Sequence, residues 1–188
     1  MEIKFCKNRI NLIHSFGISR SSNDYYDIVY VYILDGNIIA RGEAAPSKRY
    51  NESTDSILSV LEKGLNVPES SNSRENLWAF LKPQLKSISS LEAAVNMAVW
   101  DWSAQKEKVP LFNLFGFKNE ILPKTSYTIA IGNLNELDER LEESEQCSIL
   151  KVKLGTPDND KEIISKIRKK TDKLIRIDAN EGWDYEMA

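Results

Sequence analysis

Apolar and polar residues follow a strand-like pattern at the start of the chain. Residues 2–13 and 26–43 alternate or run apolar and are rich in β-branched and aromatic side chains, which is typical of strands. Asp35 and Gly36 lie between two such runs, and this dipeptide favours a tight hairpin turn. The pattern predicts that the chain begins with an antiparallel meander.

The hydrophobic period becomes helical between residues 52 and 106. Ser89–Glu92 has the spacing of a capping box. The apolar residues that share one stripe of this helix are Leu91, Val95, Ala98, Val99 and Trp102. We interpret Trp100 and Asp101 as packing and surface or interhelix residues and not as a cofactor-binding motif, because aromatic residues at helical spacing usually belong to a core. A meander followed by helices predicts an α+β domain over residues 1–122.

Strands and helices alternate after residue 123. The pattern predicts strands at 125–131, 149–154 and 174–178 and a helix at 134–145. A second helix should begin at Thr156–Pro157–Asp158, with an N-cap residue, a proline and an acid in its first turn. This alternation is typical of βαβ units and predicts a parallel sheet over residues 123–188.

Charged side chains lie on the second and third of these strands. The strand period of two puts Lys151 and Lys153 on one face, and Arg176, Asp178 and Asn180 on one face. A Lys-x-Lys at a strand end is more often a solvated surface feature. A parallel strand between helices is usually a continuous apolar run, however, so polar ends on two consecutive strands indicate a chemical role.

These residues have the properties of a proton-transfer site. In β/α barrels the carboxyl ends of the strands form the active site, and Thr128 is a third candidate on the first strand. Two adjacent ammonium groups in an apolar site destabilise each other's charge, so one lysine can act as a general base. The Asp178 carboxylate is a hard oxygen ligand that suits Mg²⁺. Together a lysine base and Mg²⁺ can remove a proton next to a carboxylate, because the metal stabilises the enediolate that forms.

Composition narrows the classes of partner and site. The net charge of −3 gives no reason to expect nucleic acid or an anionic membrane as a partner, which favours small molecules or protein chains. The longest apolar stretch, residues 28–34, is too short for a bilayer, so we expect a cytoplasmic protein. Cys6 and Cys147 lack a partner motif and should be reduced, and the single histidine, His14, excludes a His-cluster metal site. Dinucleotide and P-loop glycine motifs are missing.

Taken together, the motifs resemble the enolase superfamily, in its muconate-lactonizing subgroup. They are Arg41–Pro46 in the meander, Ala-Val-Trp-Asp at 98–101, the Lys-x-Lys strand and the Asp-Ala-Asn strand. Within the subgroup the chain is most similar to dipeptide epimerases that act on L-Ala-D/L-Glu. The resemblance implies an α+β N-terminal cap domain over residues 1–122, followed at 123–188 by the first part, about three strands, of a β/α (TIM-like) barrel. It also implies an isomerase that uses Mg²⁺.

The resemblance assigns a role to each candidate residue. Lys153 is one catalytic acid/base, and Lys151 is the neighbour that tunes it. Asp178 is the first Mg²⁺ ligand, and Asn180 is a supporting polar group near the metal.

Substrate contacts are implied in the same way. Arg20, in the loop between the first two strands, resembles the arginine that binds the glutamyl carboxylate of the substrate, a task that suits guanidinium geometry. Thr128 is a second substrate-binding candidate. Glu43 is interpreted as a structural carboxylate held by turn backbone.

The chain departs from the family pattern after its third barrel strand. Family members carry two further acidic Mg²⁺ ligands and an opposing lysine on later strands, which these 188 residues do not supply. We therefore expect a truncated or split product, inactive by itself, that a second chain or a missing C-terminal half would complete. The alternatives are an o-succinylbenzoate synthase, an N-acylamino acid racemase, or a non-catalytic remnant that acts as an interaction module.

Overall fold

The chain forms two compact units. The computed structural model describes residues 1–18, 21–118, 122–130 and 136–188. The first unit comprises Met1–Ile10 and Tyr26–Glu120, and the second comprises Asn11–Tyr25 and Ile121–Ala188. The tip of the first hairpin therefore groups with the second unit. Among the helices of the described residues, none combines the length and the apolar surface that a bilayer crossing requires.

Three strands form the first sheet. They are β1 (Glu2–Ile18), β2 (Ser21–Asp35) and β3 (Ile38–Ala44), in the order β1-β2-β3. This sheet belongs to the first unit except for the ends of β1 and β2 that lie within Asn11–Tyr25. β2 and β3 pair antiparallel, with Asp35 opposite Ile38. Gly36 occupies the turn between them at φ 58°, a left-handed conformation that glycine adopts without steric cost. The predicted turn at Asp35–Gly36 is confirmed.

Four α-helices follow the sheet among the described residues of this unit. They are α1 (Thr54–Leu61), α2 (Arg74–Leu81), α3 (Ser89–Glu107) and α4 (Leu111–Leu114). All five residues of the predicted α3 stripe are buried, with exposures of 0–1%. α3 lies so close to β3 that a Cβ atom at Gly42 would be 1.8 Å from the Ala94 carbonyl oxygen. Only glycine permits this approach of a helix to a strand.

The packing role predicted for Trp100 is confirmed, whereas Asp101 contacts a strand and not another helix. The Trp100 ring stacks on Phe115 at 4.4 Å between centroids, and the Arg74 guanidinium lies 3.6 Å from the Trp100 ring centre. Asp101 Oδ2 accepts a hydrogen bond from the backbone N–H of Arg41 at 2.8 Å. Because β3 is at the end of the sheet order, Asp101 satisfies a donor that no further strand pairs.

The predicted capping box of α3 is wrong. α3 begins at Ser89 without a side-chain cap of its own, and the Glu52 carboxylate accepts the hydrogen bonds instead. Glu52 Oε1 lies 2.7 Å from Ser89 N and 2.6 Å from Ser89 Oγ, and Glu52 Oε2 lies 3.3 Å from Ser90 N. Burial acts to raise the pKa of Glu52, but the hydrogen bonds from Ser89 and Ser90 outweigh it and lower that pKa. An acid remote in sequence thus caps the positive end of the helix dipole.

The second unit contains a parallel sheet with two helices. Its elements are β4 (Ser126–Ile129), α5 (Leu137–Glu143), β5 (Ile149–Lys153), α6 (Pro157–Arg168) and β6 (Leu174–Asp178). The strands pair in the order β4-β5-β6, and both pairs are parallel. The three predicted strands and the start of α6 at Pro157 are confirmed. The predicted start of the preceding helix at residue 134 lies outside the described residues.

Replacing the remote cap of α3 should destabilise the first unit. We expect Glu52→Ala to lower the free energy of unfolding by about 0.5–2 kcal/mol, the usual contribution of an N-cap, as measured by urea denaturation. Glu52→Gln keeps an acceptor oxygen and should lose less. Glu62→Ala, an exposed acid at the end of α1, is the matched control, and a loss as large as that of Glu52→Ala would contradict the capping role.

Candidate active site

The sheet of the second unit has one apolar face and one polar face. The apolar face and the two helices share a buried cluster: Ile129, Leu137, Leu150, Val152, Leu154, Ile163 and Ile167. On the polar face Thr128 pairs with Lys151 and Lys151 with Arg176, while Lys153 pairs with Asp178. Paired residues of parallel strands project to the same side of the sheet. The candidates on the three predicted strands therefore meet on one surface.

Lys153 lies at the centre of a hydrogen-bonded cluster. Its Nζ donates to Asp178 Oδ2 at 2.8 Å and to Asn180 Oδ1 at 2.8 Å. Lys151 Nζ is 2.8 Å from the same Asp178 oxygen. The Lys153 side chain is 9% exposed, whereas that of Lys151 is 40% exposed. Lys153 is therefore the buried lysine of the pair, held in place by two acceptors.

Asp178 compensates the charge of both lysines. Hydrogen bonds from Lys151, Lys153 and the Asn180 backbone N–H outweigh burial and hold the pKa of Asp178 well below its ordinary value. From the sequence alone, the two neighbouring ammonium groups are expected to repel each other. In the structure a shared carboxylate lies between them, so part of the expected mutual destabilisation is offset.

Two cavities border this sheet. One of about 550 Å³ opens on the polar face, and its lining includes Lys151, Arg176, Asp178 and Asn180. Another of about 800 Å³ lies beside α6 and is lined mainly by apolar and surface residues without the lysine pair. The smaller cavity has the size of a small-molecule site and contains the ionised groups, so we assign the candidate active site to it.

Sequence reasoning missed Asp160 and Trp183. Asp160, in the first turns of α6, accepts hydrogen bonds from the backbone of Gly155 and Thr156 and from the Trp183 indole. An acid four residues after Thr156 was a possible signal in the sequence, but an acid in a first helical turn is common for electrostatic reasons alone. Its link to Trp183 could not be inferred from spacing.

Two further residues were predicted from the sequence, Arg20 and Glu43. Arg20 lies outside the described residues. Glu43 lies within β3, opposite Tyr30, with an exposed side chain, so the prediction that turn backbone holds it is wrong.

A second group of possible ligands lies around the single histidine. His14 Nε2 is 2.9 and 3.0 Å from the two oxygens of Glu143, Tyr127 donates to the same carboxylate, and Glu139 lies nearby. Hydrogen bonds from Tyr127 and His14 lower the pKa of Glu143. Burial, and then the bond to Glu143, raise the pKa of Tyr127 to about 12. These hydrogen bonds account for the arrangement without a metal ion.

Comparisons with known proteins identify sequence relatives of this chain. It is 31% identical over 188 residues to the L-Ala-D/L-amino acid epimerase of Flavobacterium johnsoniae, which covers 99% of this chain and 55% of the relative. It is 30% identical to the L-Ala-D/L-Glu epimerase of Bacteroides thetaiotaomicron, over 97% of this chain and 48% of the relative. The chain thus spans about half the length of the curated relatives that it matches. No protein-family model matches it.

Solved structures agree with the sequence matches. A substrate-liganded complex of the L-Ala-D/L-Glu epimerase from Bacillus subtilis superposes with a TM-score of 0.83 at 26% identity, covering 100% of this chain and 55% of the other. The dipeptide epimerase of Cytophaga hutchinsonii, complexed with Mg and D-Ala-L-Val, gives a TM-score of 0.80 at 28% identity, covering 99% and 53%. This match confirms the predicted fold class, an α+β cap followed by the first part of a β/α barrel.

Removing the shared carboxylate should destabilise the second unit. Asp178→Asn leaves two lysines without their counter-charge, so we expect a loss of about 1.5–3 kcal/mol at pH 7, the contribution of a hydrogen bond to a charged group. Because the folded pKa of Asp178 is depressed, its stabilisation is present above the unfolded pKa of about 4 and is lost as the pH falls through the folded value. Denaturation of both proteins at pH 7 and at pH 3 measures this difference.

Asp172→Asn is the matched control for this experiment, since Asp172 is an exposed acid of the same unit. Its effect should be small at either pH. An Asp178→Asn effect that stays the same at both pH values would show that the ion pairs do not stabilise the fold.

Proposed function

Because this chain is a homologue of the dipeptide epimerases of the enolase superfamily over about 55% of their length, we propose that it forms the cap and the first barrel strands of such an epimerase. The reaction would invert a dipeptide at one Cα by removing its proton and returning a proton to the other side. The observation that carries this proposal is the buried Lys153, fixed between Asp178 and Asn180 and adjacent to Lys151.

Lys153 is the group that would transfer the proton. It must be neutral to accept the substrate proton, and it returns a proton as the ammonium. Lys151 bonds to the same carboxylate and is more exposed, so it would adjust the charge around Lys153 rather than contact the reacting carbon. Both lysines lie on β5 and project to one face, so the opposite side of the substrate would need an acid/base from outside β4–β6.

The donor groups fit Mg²⁺ as a partial ligand set. Asp178 is an ionised oxygen donor and Asn180 offers an amide oxygen, which are the ligand types that Mg²⁺ prefers. The Cytophaga hutchinsonii relative is complexed with Mg, which supports the same metal here. When bound, the ion would stabilise the negative charge that the substrate carboxylate gains after proton removal.

Asp178 is the one acidic residue of strands β4–β6, so the other protein ligands would come from outside them. A cation at Asp178 would also compete with two ammonium groups for the same carboxylate. We therefore propose that these 188 residues alone neither bind Mg²⁺ tightly nor turn over substrate.

Other reactions of the superfamily remain the alternative proposals. An o-succinylbenzoate synthase or an N-acylamino acid racemase would share the lysines and the aspartate. The relatives at 30% identity or more that are described above are epimerases, which supports a dipeptide substrate. A non-catalytic interaction module is consistent with a match to only half of each relative. Proton exchange into a panel of dipeptides and N-acylamino acids distinguishes an epimerase from an N-acylamino acid racemase, and an assay of o-succinylbenzoate formation distinguishes the synthase from a non-catalytic module.

Substitution of Lys153 tests the proton-transfer role. In the full-length protein, Lys153→Ala should slow exchange of the substrate α-proton with deuterated solvent from one face by about 10²–10⁴-fold, the usual contribution of an acid/base group. Lys161→Ala, which removes an exposed lysine of α6, should leave exchange unchanged. Undiminished exchange from both faces in Lys153→Ala would refute the assignment of this lysine.

Arg20 would choose the substrate. If it binds a glutamyl carboxylate as a bidentate pair, Arg20→Lys keeps the charge but loses the fork geometry, and Arg20→Met loses both. We expect kcat/KM for L-Ala-L-Glu to fall by the factor that corresponds to a loss of about 1.5–3 kcal/mol of transition-state stabilisation. Dipeptides with an apolar second residue should lose little. Equal losses on acidic and apolar dipeptides would remove Arg20 from the specificity site.

A further inference from the structure

Asp160 is a buried carboxylate whose partners are hydrogen-bond donors of two separate segments. Asp160 is 6% exposed. It accepts from Gly155 N at 3.0 Å, Thr156 N at 3.1 Å, Thr156 Oγ1 at 3.2 Å and Trp183 Nε1 at 2.7 Å. A buried charge is costly unless hydrogen bonds satisfy it. The four donors around this carboxylate therefore indicate that it has a structural role in joining their segments. Burial acts to raise the pKa of Asp160, but these bonds outweigh it and keep the group ionised.

The two segments that Asp160 joins are those that present the candidate active site. Gly155 and Thr156 lie in the loop after β5, two and three residues after Lys153, and Trp183 follows the turn that begins at Asn180. The same segments touch through their backbones, since a Cβ atom at Gly182 would be 2.7 Å from Gly155 Cα. The Asp160 carboxylate is therefore a clamp between the loop after β5 and the turn after β6.

The turn after β6 has an unfavourable backbone conformation. Asn180 and Glu181 have φ values of 47° and 67°, which place two consecutive non-glycine residues in the left-handed region. Such conformations are sparsely populated and persist only where surrounding contacts hold them. This turn is also the segment that places Asn180 Oδ1 2.8 Å from Lys153 Nζ.

We propose that Asp160 is a positioning residue of the proton-transfer site. Through the Trp183 indole N–H it holds the strained Asn180–Glu181 turn, and the turn keeps Asn180 on Lys153. Its effect on catalysis rests on the proposed epimerase function, whereas its effect on the turn does not. The competing explanation is that Trp183 only fills space beside α6, where it packs against the buried cluster of the second unit.

NMR of the indole groups tests the clamp without an activity assay. The chain has four tryptophans, and Trp183→Phe identifies the Trp183 indole signal by its loss. Asp160→Asn keeps the side-chain size but leaves one acceptor oxygen for donors on both sides. We expect the Trp183 indole N–H and the backbone N–H of Gly182 to exchange with solvent at least about tenfold faster in Asp160→Asn, because their local opening becomes easier.

Asp172→Asn, the exposed acid of the same unit, is the matched control and should leave these exchange rates unchanged. An unaltered indole signal and unaltered exchange in Asp160→Asn would overturn the proposal. Because this readout needs no substrate, it decides the clamp even if the full-length protein proves not to be an epimerase.

A rescue experiment in the full-length protein separates positioning from space filling. Trp183→Phe keeps an aromatic ring but removes the N–H donor, and it should lower kcat for α-proton exchange by about tenfold or more while KM changes by less than about twofold, since small displacements of catalytic groups slow the chemical step. Glu181→Gly removes the steric penalty of a positive φ. Adding it to Trp183→Phe should recover part of kcat, relative to the Glu181→Gly single variant.

Equal kcat losses from Trp183→Phe with and without Glu181→Gly would show that the tryptophan does not act through the turn. A loss confined to KM would likewise contradict positioning of the proton-transfer group. Absence of exchange in the unmodified full-length protein, with every dipeptide tried, would instead refute the proposed function.

Discussion

The Asp178 carboxylate is the interaction on which the polar face of the second unit depends. A buried lysine is costly unless an opposite charge and hydrogen bonds satisfy it. The parallel register of β5 and β6 puts Asp178 beside Lys153, and Lys151 reaches the same oxygen. Without this carboxylate, two ammonium groups would share one end of a sheet with no counter-charge. The acid at the end of the next strand therefore compensates the charge of the buried Lys153 and of its neighbour Lys151.

The same carboxylate connects the fold to the proposed chemistry. Asp178 stabilises the lysines in the structure and is also the donor that Mg²⁺ would use. A bound ion would compete with the two ammonium groups for this carboxylate and would reduce its compensation of their charge. This competition gives the site a physical link between metal binding and the charge around Lys153. The Asp160 clamp supports the same arrangement, since it holds the turn that carries Asn180.

The division of the sheet into two faces separates the apolar packing from the groups of the proposed site. Apolar residues of β4–β6 pack with α5 and α6 in one buried cluster, and this packing fixes the strand positions. The polar face is then free to carry groups that do not stabilise a core. In the first unit, the absence of a side chain at Gly42 lets α3 lie directly on β3. In the second unit, Lys151, Lys153 and Asp178 thus project from strands that the apolar packing holds in place.

Local patterns in the sequence determined the elements and the faces of the second sheet. Side chains alternate between the two faces of a strand because of backbone geometry alone. The sequence therefore already puts Lys151 and Lys153 on one face of their strand, and it fixes the residues that share a face with Asp178 on the next strand. The apolar stripe of α3 and the turn at Gly36 are equally local, and both were predicted. Tertiary structure decided the contacts between distant residues. Glu52 caps a helix that begins 37 residues later, and Asp160 meets Trp183 across 23. Such pairs form only when whole elements pack together, so the spacing of the residues in the sequence does not predict that they are in contact.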